Sequence, residues 1–458
     1  MRRIILSFFI LSLSACTLAP DYERPAIDAG ANWKDMAAPE ASANNEPPVS
    51  PAWWQDYQSG VLNQLVPKAL AGNNDLLAGF QRIEQARAAV TKSEADLFPQ
   101  VSASASQTKD RQERSGIVTR SDGNNIGFSV SYEVDLFGRI RSGAAAAQAD
   151  YEASRFDHES LKIITAAAVV EAYAQALAMT ERLRVADDNL AIAKDVLSII
   201  DARSTAGTAS DLELSQQKAA VASAQAAMAA LAANHDGFLN QLAVLLGEAP
   251  QNFRVEEENF SALIAPKIVP GLPARLLQQR PDIRRAEASL MAANADIGVA
   301  RAAFFPSLTL DAAGILSGNP ASTLLSLGAS ALAPLFRGGA LESDLEITKA
   351  RKEELAANYR QTVLTAFQES GNALSALRAA DSRAALLADA AAASRNAYKL
   401  ARSRYDSGSI DFQTLLDTQR TLLQAEDSAT QARLEQISAS VDLTKALGGG
   451  WNDPGPVD

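Results

Sequence analysis

Few residues in this 458-residue chain could carry bond-making chemistry. There is one cysteine, Cys16, and there are two histidines, His158 and His235. Neither histidine stands in a ligand-like arrangement. No Ser/His/Asp grouping, phosphate loop, nucleotide motif or metal-ligand cluster is present. The adjacent carboxylates Asp187-Asp188 and Glu256-Glu257-Glu258 read as solvated charges. The chain therefore reads as a non-enzyme with no cofactor. Forty-two Lys and Arg against 54 Asp and Glu give a net charge of −12. That acidity argues against nucleic acid as a partner.

The chemistry left to Cys16 is modification. Arg2 and Arg3 precede a short apolar run, Ile4 to Leu13, which is too short to span a bilayer. The run ends in Leu13-Ser14-Ala15-Cys16, a pattern like that of bacterial lipoprotein signals. On this reading residues 1–15 are removed and Cys16 becomes the lipid-bearing first residue. A single cysteine also leaves no disulfide framework.

Four segments, about 101–108, 125–136, 307–316 and 324–335, read as membrane strands. In the clearest, Ile126, Phe128, Val130, Tyr132, Val134 and Leu136 fall on one face, and Gly127, Ser129, Ser131, Glu133 and Asp135 on the other. A strand apolar on one side and polar on the other suits a wall between lipid and water. Four strands cannot close a membrane barrel, since the smallest has about eight. The sequence therefore predicts several copies sharing one pore. No transmembrane helix is expected beyond the signal.

Long helix patterns position these strands. Residues 144–206 lack Gly and Pro, and 340–407 contain only Gly371. At 1.5 Å per residue each would reach roughly 95–100 Å. Gly207 and Gly408 break them at equivalent places, and return segments 208–246 and 409–447 follow. Shorter helical patterns run from Asp75 to Pro99 and from Asp282 to Pro306. Leu97-Phe98-Pro99 answers to Phe304-Phe305-Pro306, and Leu136-Phe137-Gly138 to Leu335-Phe336-Arg337-Gly338-Gly339. The chain thus repeats at an offset near 200 residues. The lengths predict each short helix and return helix stacked end to end beside a long one. The non-repeated pieces, roughly 17–60, 247–280 and 448–458, are expected where helix ends meet.

In the second return segment Leu416, Leu423 and Ile437, with Leu434 and Val441, form a coiled-coil-like seam. Gln413, Asp417, Arg420, Gln424, Asp427, Gln431 and Glu435 form a separate polar stripe.

Together these features resemble the outer membrane factor family, the TolC/OprM-type lipoproteins. The resemblance rests on Cys16-Thr17-Leu18-Ala19-Pro20-Asp21-Tyr22, Trp53-Trp54, and Arg280-Pro281-Asp282 with Ala286-Glu287. It also rests on Phe305-Pro306-Ser307-Leu308, Leu335-Phe336, Tyr405-Asp406-Ser407-Gly408, Leu415-Leu416-Asp417 and Gln419-Arg420. It implies a mainly α protein with a small β part. Four strands per subunit would contribute to a 12-stranded outer membrane barrel in a homotrimer, above a periplasmic α-barrel. It implies a periplasmic adaptor and an inner membrane pump as partners, the pump proton-driven. Thr17 after Cys16 goes with outer membrane delivery. The turns at Gly207-Thr208 and Gly408-Ser409 match the adaptor-facing tip. Asp417 matches an acidic position at the closed periplasmic end, with Gln413 where an apolar residue is usual. Arg404 and Arg420 could tie that end shut.

The leading expectation is an exit duct for drugs or other small toxic compounds. A duct for secreted proteins and a non-channel scaffold lipoprotein are the alternatives. The expected organisation is a signal (1–15), a lipid-anchored segment (16–60), a first repeat (61–246), a connector (247–280), a second repeat (281–447) and a tail (448–458).

Overall fold

The computed structural model describes residues 17–28, 33, 49–269, 273–318 and 321–451. Cys16 and the expected signal, 1–15, lie outside them. Helices α1 (Leu62–Gly72) and α2 (Asn74–Ala95) lead into strands β1 (Gln100–Arg114) and β2 (Ile117–Val134). Then come α3 (Arg139–Thr205) and α4 (Asp211–Leu245). The plan recurs as α5 (Pro281–Ala302), β3 (Ser307–Gly318), β4 (Ala321–Leu332), α6 (Ala340–Asp406) and α7 (Phe412–Ala446). The lengths recur too. α2 and α5 have 22 residues, α3 and α6 have 67, and α4 and α7 have 35.

The chain divides into two units. One holds residues 1–27, 80–157 and 282–362 and carries the strands. The other holds 28–79, 158–281 and 363–458. Within the second, Tyr57, Leu62, Tyr173, Leu177, Leu242, Leu263 and Leu276 are fully buried. α3 contains an 18-residue window with a mean hydropathy of 1.4, long and apolar enough to span a membrane. That window is 67% buried, so its apolarity is spent on packing within the protein.

Both long helices stop in the same way. Thr208 N donates to Arg203 O and Gly207 N to Ser204 O; Ser409 N donates to Arg404 O and Gly408 N to Tyr405 O. These paired bonds satisfy the last carbonyls and need a left-handed residue, which glycine supplies. The return helices then start from side-chain caps. Ser210 and Glu213 form a capping box, and the Asp411 carboxylate accepts from Thr414 N at 2.8 Å.

The far ends of α4 and α7 show the predicted end-to-end contact. Asn73, just before α2, donates its Nδ2 to Leu245 O at 2.9 Å. Arg280, just before α5, donates its Nη1 to Ala446 O at 3.1 Å. Each return helix is thus capped by the residue preceding the short helix of its own half. Gly247 and Gly448 make this approach possible. Both have positive φ, 74° and 94°. A Cβ on Gly247 would run into the Gly72 carbonyl, and one on Gly448 into the Gln279 carbonyl.

The four strands form one antiparallel sheet in the order β1-β2-β3-β4. β1 and β2 are longer than the sequence suggests, since the ladder runs from Gln100↔Ser131 to Arg114↔Ile117. The added stretch carries charge on both faces, so it lacks the period-two apolar signal. It is held by backbone pairing, with Lys109 opposite Asp122, and closed by Ser115 and Gly116 in left-handed conformations.

The α7 seam needs one correction. Leu416, Ile437 and Val441 are buried and Leu434 is half-buried, but Leu423 is 38% exposed. The buried row near the turn is Phe412, Leu415, Gln419 and Leu422.

The helix-end contact is testable. Gly448→Ala should lower stability by more than the ~1–2 kcal/mol of a left-handed non-glycine residue, because the Gln279 carbonyl blocks the new methyl. Gly408→Ala has φ 73° but open space, and should incur only the conformational cost. Thermal unfolding midpoints in detergent report the difference, and equal losses would contradict the packing.

Candidate pore wall, gate and anchor

Directly opposite residues in an antiparallel sheet share a face. Ile126, Phe128, Val130, Tyr132 and Val134 lie opposite Leu316, Gly314, Ala312, Leu310 and Leu308. The same face continues outward to Val101 and Ala103 on β1 and to Leu325 and Leu327 on β4. Phe128 is 57% and Leu327 82% exposed, so this face does not pack on the subunit's own core. The opposite face is hydroxyl-rich. Ser102 and Ser129 share a hydrogen bond at 2.7 Å. Ser131 donates to Asp311 at 2.8 Å, and Ser317 to Asn125 at 2.7 Å. Ile315 and Leu324, opposite each other, are large apolar exceptions, as are Leu332, opposite Ser307, and Ile117 at the hairpin end. The outer edges of β1 and β4 pair with no strand among the described residues.

Below β2 the chain is pinned by charge. Arg139 grips the Glu133 carboxylate with two bonds, at 3.1 and 2.8 Å. Asp135 accepts from the backbone of Ile140 and Arg141, capping the start of α3. Phe137 stacks on Phe305 with centroids 4.6 Å apart and planes inclined by 25°.

Residues 17–24 form a strap along α5 in the strand-bearing unit. Arg301 donates to Leu18 O at 3.0 Å, Asn294 to Pro20 O at 2.7 Å, and Arg24 to the buried Glu287 at 2.5 Å. The strap therefore runs antiparallel to α5. Its Thr17 end reaches Ser142, in the first turn of α3 beyond β2, with the hydroxyls 3.4 Å apart. The Thr17 end of the strap thus lies at the strand end of α3 and α5.

At the turns, Gly207, Thr208, Gly408 and Ser409 are all exposed. Val196, Ile200, Ala401, Tyr405, Phe412, Leu415 and Leu416 form the core behind them. Hydrogen bonds from Thr414, side chain and backbone, hold the Asp411 carboxyl below the usual carboxylate range. Asp417 is exposed and accepts from Gln413 Nε2 at 3.0 Å. Arg404 and Arg420 are exposed, and among the described residues neither reaches a carboxylate of its own chain. The ties near the turn involve other residues. Arg402 binds Asp195 at 2.8 Å and Asp406 at 3.2 Å. Arg203 donates to the Tyr405 hydroxyl at 3.0 Å and lies over its ring at 4.6 Å. The pairs Arg402–Asp195 and Arg203–Tyr405 were missed because each joins α3 to α6 across about 200 residues of sequence. The one available signal was their clustering just before Gly207 and Gly408.

A family profile described as "Outer membrane efflux protein" matches residues 65–248 and 272–449. The chain is 36% identical to the pyoverdine export outer membrane protein OpmQ of Pseudomonas aeruginosa, over 98% of this chain and 97% of that one. It is 33% identical to the toluene efflux pump outer membrane protein TtgC of Pseudomonas putida, over 98% and 96%. The solved outer-membrane channel OprN has a TM-score of 0.84 at 32% identity, covering 95% of this chain and all of that one. OprN therefore shares this fold over nearly the whole chain. This chain belongs to the outer membrane efflux protein family.

Proposed function

We propose that three copies of this chain close a 12-stranded barrel in the outer membrane, forming the exit duct of a tripartite efflux system for drugs or other small toxic compounds. The carrying observation is the four-stranded sheet, with one apolar face and two edges unpaired among the described residues. Backbone groups at a strand edge cannot remain unpaired in lipid, so the edges need partners. Ile126, Phe128, Val130, Tyr132 and Val134 then face lipid, and Ser102, Ser129, Ser131 and Asp311 line the pore. The names of the relatives, which concern pyoverdine and toluene, favour small-molecule cargo over secreted protein.

Cys16 carries the lipid on this reading. The strap supports it, because it leads the chain to the strand end of α3 and α5. The exposed turns at Gly207-Thr208 and Gly408-Ser409 meet the periplasmic adaptor, which connects to a proton-driven pump. Three-fold symmetry gathers the Asp417 side chains into a ring that attracts cations, with Gln413 beside each. Among the described residues Arg404 and Arg420 reach no own-chain carboxylate, which leaves them available to neighbouring subunits. Arg402 and Arg203 hold α3 against α6 near the same end, so the closed state depends on them.

Three outcomes follow. An Arg near mid-bilayer on the lipid face costs roughly 2–4 kcal/mol, whereas the lumen tolerates charge. In cells lacking the chain, Ser129→Arg should restore resistance to small toxic compounds and Val130→Arg should not. Equal rescue would show that the faces are misassigned, and failure of the wild-type gene to restore resistance would remove the efflux reading. For the gate, Arg402→Ala should raise single-channel conductance and Asp417→Ala should weaken cation selectivity. Unchanged recordings for both would place the constriction elsewhere. For the anchor, metabolic labelling with a fatty acid should mark the wild-type protein and not Cys16→Ser; an unlabelled wild type would refute lipidation.

A further inference from the structure

We infer that neighbouring subunits lock together through Phe336 of one copy stacking on Phe98 of the next, at the base of the barrel. This rests on the shared-barrel reading and gives it a residue-level interface.

The template lies inside the chain. Where β2 ends and β3 begins, Phe137 stacks on Phe305. The strands above them are paired, down to Val134 opposite Leu308. The sequence supplies both corners a second time. Leu335-Phe336 repeats Leu136-Phe137 at the end of β4, and Phe98-Pro99 repeats Phe305-Pro306 at the start of β1.

Within one chain the second pair cannot form the same junction, because β1 and β4 are opposite edges of the sheet. The exposure agrees. Phe336 is 89% and Leu335 96% exposed, and Phe98 is 66% exposed. Val101 and Leu332, beside them on the two edges, are each at least 70% exposed. Large apolar side chains this open, on two unpaired strand edges, are surfaces awaiting cover. The same side of the sheet that carries Phe128 carries Ala103 and Ala105 on β1 and Ala329 and Ala331 on β4. A second copy's β1 can therefore continue β4 in antiparallel fashion, with small residues meeting on the outer face and the apolar belt unbroken. A one-residue slip would turn that belt inward. The contact is heterologous, head to tail, and repeats until the ring closes.

Thiol cross-linking in outer membranes tests it. Phe98→Cys with Phe336→Cys, treated with a short bis-thiol reagent, should give covalent dimers and trimers on denaturing gels. Either single variant should give none, which also excludes Cys16 as a partner. Phe137→Cys with Phe305→Cys should link within the chain and leave the mass unchanged. Should the double variant not assemble, a double-mutant cycle answers instead. Phe98→Ala and Phe336→Ala should each lower the trimer's dissociation temperature, and the double should be little worse than either single. Fully additive losses overturn the contact. Native mass separates the two levels of the claim. A trimer with no inter-chain link overturns the aromatic pair alone, whereas a folded monomer overturns the shared barrel.

Discussion

An unpaired strand edge is tolerable in water and not in hydrocarbon. Each exposed N–H and C=O in lipid costs several kcal/mol, and no solvent is present to satisfy it. Among the described residues this chain makes four strands and leaves both outer edges open. The open edges require more than one copy. Closure into a ring requires the copies to be equivalent, and the alternation of faces then decides which side chains meet lipid and which meet the lumen. The anchor strap and the charged corner below β2 hold the sheet's base against the helices that enter and leave it.

Helix length is the second constraint. Helices of 67 residues cannot be stabilised by propensity alone and need partners along their whole course. In each half the end of a return helix meets the start of a short one. The junction demands that two helix termini meet without orphaned carbonyls. Asn73 and Arg280 answer this with different chemistry at equivalent positions: an amide donates to Leu245 O in one half, and a guanidinium to Ala446 O in the other. Arg280 also binds Glu369 at 2.7 Å, tying the same junction to α6.

Much of this was legible in the sequence because it depends on periodicity and on glycine. The long helices, their breaks at Gly207 and Gly408, the alternating face of β2 and the duplicated corners all follow from local pattern. The parts that were not legible depend on pairing at a distance. The upper β1–β2 hairpin has no apolar period and is visible only through its ladder. Leu423 obeys the heptad and is still 38% exposed, while its neighbour Leu422 is buried. Arg402 and Arg404 stand two residues apart and look interchangeable in sequence. Only the packing of α3 on α6 shows that Arg402 finds Asp195 while Arg404 faces outward.

The central claim is that the outer edges of β1 and β4 are filled by other copies. Amide hydrogen exchange on the detergent-purified assembly measures this directly, since edge amides exchange slowly only when hydrogen-bonded. The account predicts that the outward amides of β1 and β4 are as protected as those of the inner β2–β3 ladder. Rapid exchange along both edges, with the β2–β3 ladder protected, would contradict it.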